Sequence, residues 1–180
     1  MVRKQADPTG VCVVETPKYR VLRRMDGVEL RQYPELILAT TKMKAGDASN
    51  EAFGIIAGYI FGENKANKHI AMTAPVISSS ESGIFSMSFV MPSSFGMKTL
   101  PKPVSRMISI ERKRASKFAV IRFSGFASKG KVKGYEARLR QVLKEENIRP
   151  RGKAILMRYN PPWTLPFMRR NEVALEIVWK

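Results

Sequence analysis

Residues 160–172 read NPPWTLPFMRRNE, and their residue types bring a flat apolar surface next to fixed positive charge. Trp163, Leu165, Phe167 and Met168 supply the apolar part, and Arg169 and Arg170 follow directly. Pro161, Pro162 and Pro166 exclude a helix interior or a central strand, because proline lacks the backbone donor that both need. Such a segment suits a planar hydrophobic ligand with carboxylates: rings stack on the aromatic side chains while guanidinium groups pair with the anionic tails. Arg169 and Arg170 read equally as solvated charges at the end of a loop.

Other chemistry is sparse. His69 is the single histidine and Cys12 the single cysteine, so neither a disulfide framework nor an ordinary zinc site can be assembled. No sequence signature joins His69 to a nucleophile and an orienting acid, so no catalytic residue is assigned. A neutral imidazole is nevertheless a good iron ligand, which makes His69 a candidate metal ligand. Met43, Met72 and Met168 read as packing rather than iron ligands. Glu172 and Glu176 share one strand face at even spacing. They read as an outward polar face, with the alternative that a buried carboxylate there works as an acid or base.

The chain of 180 residues is long enough for one well-buried core and carries a net charge of +17. Residues 1–101 hold 12 Lys and Arg against 9 Asp and Glu, while residues 102–180 hold 20 against 6. The basic second half attracts anions in general. It lacks the zinc-finger spacing, phosphate loop or aromatic signature of a specific nucleic-acid binder, so none is expected. No run approaches a membrane span, no secretory pattern opens the chain, and the lone cysteine suits a reducing compartment. A cytoplasmic protein is expected.

The elements that must position these residues recur. Strand patterns at 28–33 and 35–43, a helix, and strands at 70–78 and 84–92 are followed by strands at 106–112 and 117–125, a helix at 132–148, and strands at 154–160 and 172–179. This is a ββαββ unit used twice. The expected architecture is α+β: a duplicated ββαββ unit forming a distorted antiparallel β-barrel flanked by two helices. Residues 1–17 read as an N-terminal arm, and 18–180 as one domain of two pseudo-repeats, 18–98 and 104–180.

The two helices differ. In the second, Val132, Tyr135, Leu139, Val142 and Leu143 fall within about 100° of arc, a stripe that one sheet satisfies. In the first, beginning near Ser49, the apolar residues from Ala52 to Phe61 spread over roughly 240°. Gly54 and Gly58 fill most of the rest, which suggests a close approach to the backbone. The late loop and the extra helical face therefore either shield one another or bound a cleft. A porphyrin fits the cleft's chemistry, as do other aromatic acids.

The segments VETPKYRVL (14–22), VELRQYPE (28–35), HIAMTAPV (69–76), FVMPSSF (89–95), FAVIRFSG (118–125) and YNPPWTLPFMRRNEV (159–173) resemble, in this order, the SOUL haem-binding protein family. The resemblance implies a duplicated α+β unit related in architecture to bacterial effector-binding domains. It also implies noncovalent binding of haem or free porphyrin in a shallow hydrophobic cleft between the first helix and the late Pro/Trp-rich loop. Carried onto this chain, the binding residues are Phe53, Ile56, Ala57 and Ile60 from the helix and Trp163, Leu165, Phe167, Met168, Arg169 and Arg170 from the loop, with His69 as candidate haem-iron ligand. A carrier, buffer or sensor rather than an enzyme is expected, with a tetrapyrrole as the partner. The alternative is an effector-binding module or small-molecule hydrolase using the same cleft. No C-x-x-C-H occurs, so haem attachment of the usual covalent kind is excluded.

Overall fold

The structure is a computed structural model and describes residues 14–46 and 48–179. Its chain order is β1 (Arg20–Met25), β2 (Val28–Tyr33), β3 (Leu36–Lys44), α1 (Ala48–Ile60), β4 (Val76–Glu81), β5 (Ile84–Val90), β6 (Ile108–Lys113), β7 (Ser116–Phe123), α2 (Lys129–Glu145), β8 (Arg149–Arg158) and β9 (Asn171–Val178). Strand β1 lies outside the expected set. Asp26 and Gly27 hold φ of 40° and 74°, the left-handed pair that a two-residue hairpin requires, and turn β1 back onto β2. Of the expected arm, residues 1–13, including Cys12, lie outside the described residues. From Val14 the chain docks: the Glu15 carbonyl accepts from Ala74 N at 2.9 Å and its side chain from Ser93 N at 2.9 Å.

All nine strands form one sheet in the order β1-β2-β7-β9-β8-β4-β5-β3-β6. Exchanging β2 to β5 with β6 to β9 maps the order from β2 to β6 onto itself, as two pseudo-repeats would require. Strands β2 and β3 stand six places apart, roughly 29 Å across a flat sheet. Yet only Pro34 and Glu35 separate them, a reach of about 10 Å. The sheet must therefore fold back on itself. Tyr33 faces Ser116 and Leu36 faces Lys113, so β2–β3 and β6–β7 turn the corner together as one bent antiparallel ribbon. β1 and β6 remain edges, and the closed barrel expected from the sequence is corrected to an open, folded sheet.

Each helix covers one part of this sheet. Leu139, Val142 and Leu143 of α2 pack with Val28, Leu30, Ile121, Val173 and Leu175, and Val132 and Tyr135 border them, so the expected stripe is the buried one. Ser128 caps the helix through Lys131 N at 3.3 Å. Helix α1 begins at Ala48, ahead of Ser49, and packs Ile56, Tyr59 and Ile60 against Ala39, Met87, Phe89 and Ile108.

The wide apolar arc of α1 is covered by its own connections as well as by the sheet. Ile70 N donates to the Ile60 carbonyl at 2.8 Å, and Tyr59 OH donates to the Pro101 carbonyl at 2.8 Å. Asn64 Nδ2 binds the Tyr59 carbonyl at 3.0 Å and the Lys68 carbonyl at 2.7 Å. Leu100 and Met91 close the cluster. Consequently Ile56, Ala57 and Ile60, expected at the ligand site, are buried in the core. Only Phe53 of that set is exposed, with its ring 5.5 Å from Phe89. The close approach expected at the glycines occurs at Gly58, where a Cβ would meet the Glu63 carboxylate; Gly54 faces open space.

Ile56→Ala should therefore cost about 2–5 kcal/mol in urea unfolding, whereas Phe53→Ala should cost about 1 kcal/mol or less. Equal small losses would mean that Ile56 is not core.

Candidate functional site

Glu172 on β9 is fully buried, although its strand position reads as an outward polar face. It faces the side of the sheet away from the helices, and its partners explain the burial. Arg31 on β2 grips it with Nη1 to Oε2 at 2.8 Å and Nη2 to Oε1 at 3.1 Å. Arg170 reaches Oε1 through Nε at 3.0 Å and Nη2 at 2.8 Å. Tyr159 OH donates to Oε2 at 2.8 Å. Five donors occupy a carboxylate that offers about four lone-pair sites, so no acceptor site is left to take a substrate proton.

The electrostatics agree. Burial opposes ionisation of Glu172, but the hydrogen bonds and charges of Arg31 and Arg170 outweigh it and hold the carboxyl below its usual range. Burial, followed by the Glu172 charge, pushes the Tyr159 phenol up, which keeps it a donor. Arg31 lies over the Tyr19 ring at 4.3 Å, and Arg170 over the Tyr159 ring at 3.9 Å. Glu176, by contrast, is a peripheral partner of Lys113 Nζ at 2.7 Å.

Tyr159 and Arg170 are the two ends of the β8–β9 connection, and Tyr159 N also bonds the Arg170 carbonyl at 3.2 Å. Both ends of the apolar loop thus converge on one carboxylate. Inside the loop, Arg169 donates from Nε to the Thr164 carbonyl at 2.7 Å and from Nη2 to the Pro162 carbonyl, and it lies 4.8 Å over the Phe126 ring. Pro166 to Met168 form a single 3-10 turn, and the Pro166 carbonyl accepts from Gly125 N at 2.8 Å. The loop is therefore stiff, and it presents Trp163 at 82% and Phe167 at 73% exposure, with Leu165 and Met168 also exposed. The alternative of mutual shielding does not hold. Arg169 and Arg170, expected as partners of ligand carboxylates, make hydrogen bonds within the protein through Nε and Nη2.

The structure brings helix and loop to the same end of the sheet without joining them. Arg158, where the loop begins, pairs with Val76, where the connection from α1 arrives. His69 lies in that connection, exposed, with its ring 6.1 Å from Phe61. Strand β4 starts only at Val76, so His69 does not open a strand as expected. Among the described residues no group of three His, Cys, Asp or Glu could hold a metal ion. Two hollows in the sheet are small. One, of about 40 Å³, lies at the ribbon corner among Tyr33, Pro34, Phe118 and Met157. The other, of about 190 Å³, is lined by Tyr19, Glu29, Arg31, Arg122 and Arg170. Both are below the roughly 300 Å³ of a typical ligand pocket. Sequence reasoning missed the Arg31–Glu172–Tyr159 centre, because Glu172 and Glu176 alternate in NEVALEIV as an outward polar face would.

Glu172→Gln removes the buried carboxylate from Arg31, which keeps only the part-exposed Glu29 at 2.8 Å, and should cost about 3–5 kcal/mol at pH 7. Because the folded carboxyl titrates below its unfolded value of about 4.3, its contribution is complete above that pH and is lost as pH falls through the folded pKa. Urea midpoints of wild type and variant should accordingly draw together as the pH is lowered below about 4.3. A constant gap would contradict the assignment.

Comparisons with known proteins follow the same outline. The described fold resembles the EcmrR C-terminal domain, with a TM-score of 0.64, 11% identity, and coverage of 90% of this chain and 99% of that one. It also resembles a hydrolase from Listeria innocua, with a TM-score of 0.58, 13% identity, and coverage of 87% and 94%. At these identities the likeness concerns fold alone. A search of curated proteins returned no match. No helix among the described residues is long and apolar enough to cross a membrane. The sequence pattern of the SOUL heme-binding protein family matches residues 14–176, nearly the whole chain, and the chain belongs to that family.

Proposed function

We propose that this protein binds haem or a related tetrapyrrole noncovalently on the clamped apolar loop, with Trp163, Leu165, Phe167 and Met168 as the platform and Phe53 on the facing edge of α1. The observation that carries this reading is the combination of stiffness and exposure in the loop. An apolar segment fixed by three prolines and by Arg169 hydrogen bonds, yet uncovered, has its ordering cost already met before a ligand arrives. A flat ring system suits an open surface seat of the kind this exposed loop presents.

The residues fit the group in two respects. Aromatic rings offer stacking surface, and the strongly basic second half attracts the ligand's acids. His69 would supply an axial ligand if the ring reached the α1 end of the platform. The role is that of a carrier, buffer or sensor in the cytoplasm. A hydrolase using Glu172 is disfavoured, because that carboxylate is saturated with donors.

Titration with hemin should give a shifted Soret band saturating near one ligand per chain, with protoporphyrin as the iron-free control. Trp163→Ala with Phe167→Ala should weaken binding about tenfold or more, since each removes a large stacking surface. Unsaturable adsorption that the double variant leaves unchanged would reject the proposal. In His69→Ala, loss of the ferric spectrum with protoporphyrin affinity intact would identify the iron ligand; an unchanged hemin spectrum would exclude it.

A further inference from the structure

Arg158 sits at the seam between the two cores. It closes β8, faces Val76 on β4 and Asn171 on β9, and these in turn face Phe89 and Phe123. Directly paired residues share a sheet face. The row Phe123, Asn171, Arg158, Val76, Phe89 therefore crosses the side on which both helices pack. Phe89 belongs to the α1 core and carries Phe53 5.5 Å away; Phe123 belongs to the α2 core and stacks on Tyr135 at 4.5 Å. Arg158 is the cation between them, and the apolar loop begins at the next residue.

Its partners do not match its burial. The side chain is half-buried, and among the described residues its one side-chain hydrogen bond is from Nη1 to Ser78 Oγ at 3.2 Å. Among the described residues no carboxylate lies within 4.0 Å of it. Arg31 and Arg170, on the other face of the sheet, both pair with Glu172, and Arg31 pairs with Glu29 as well. Burial pulls the Arg158 pKa down, the direction expected of a cation without a counter-charge. A half-buried guanidinium with one neutral partner weakens the folded state, and it leaves donors in a planar fork that matches a carboxylate.

We propose that Arg158 receives the carboxylate of the ligand whose ring lies on the loop and Phe53, so that the site selects planar apolar acids over their neutral esters. The inference rests on the tetrapyrrole reading above. It assigns to Arg158 the anion contact that the sequence pattern suggests for Arg169 and Arg170.

The test compares protoporphyrin IX with its dimethyl ester, by tryptophan quenching, on wild type and Arg158→Met, with thermal unfolding of each protein. Wild type should prefer the acid about tenfold or more, the size of one charge-assisted contact. Arg158→Met should bring the ratio close to one, leave ester affinity unchanged, and keep or raise Tm, because methionine fills the stem's space without the unpaired charge. A preserved acid preference overturns the proposal. So does a variant that is clearly destabilised or fails to fold, since Arg158 would then be a structural donor to Ser78. If wild type binds neither form, the tetrapyrrole reading itself fails and the anchor fails with it; binding of both forms without preference sinks the anchor alone.

Discussion

One buried carboxylate organises the working end of this molecule. Glu172 ties β9 to β2 through Arg31, across the intervening β7, and receives Tyr159 and Arg170 from the two ends of the apolar loop. A loop of this composition would ordinarily collapse onto the nearest apolar surface. Here its ends are fixed by charge-assisted bonds, and its middle by Arg169 on the Pro162 and Thr164 carbonyls. Exposure of Trp163 and Phe167 is thus a consequence of the polar anchoring beneath them.

The folded sheet supplies the other constraint. Corners of two residues force the β2–β3 and β6–β7 strands to turn together, which fills the space inside the fold with Phe118, Met157 and Ile77 and leaves little volume there. Both helices pack on the outer face, each over its own core, and the seam between the cores emerges beside the loop. The seat proposed for a flat ligand is accordingly outside the sheet, on the stiff loop and Phe53 of α1.

Much of this architecture was legible in the sequence. Most strands, the α2 stripe and the proline-broken loop read correctly, since each depends on local periodicity or turn chemistry, whereas the strand expected from residue 70 begins only at Val76. The Asp26–Gly27 pair was an equally local signal for the β1–β2 hairpin, obscured by the arginines of RVLRRM. What periodicity could not give was long-range pairing. Glu172 reads as a surface residue until Arg31, 141 positions earlier, is placed against it. The broad arc of α1 reads as surplus surface until the connections carrying Ile70, Leu100 and Pro101 are laid over it. Arg169 and Arg170 read as ligand partners until their internal bonds are known. For Glu172 and α1 the missing information was the identity of a distant partner, whereas Arg169 and Arg170 turn to nearby carbonyls and to Glu172, which residue types alone do not reveal.

The two tryptophans allow the central claim to be tested within one sample. Trp163 projects from the loop, whereas Trp179 packs on the α2 core with Lys117 5.4 Å over its ring. On addition of protoporphyrin to the nitrogen-15-labelled protein, the indole N–H signal of Trp163 should shift or broaden in proportion to bound ligand while that of Trp179 stays in place. A ligand that binds stoichiometrically yet leaves the Trp163 signal unmoved would show that the loop is not the seat.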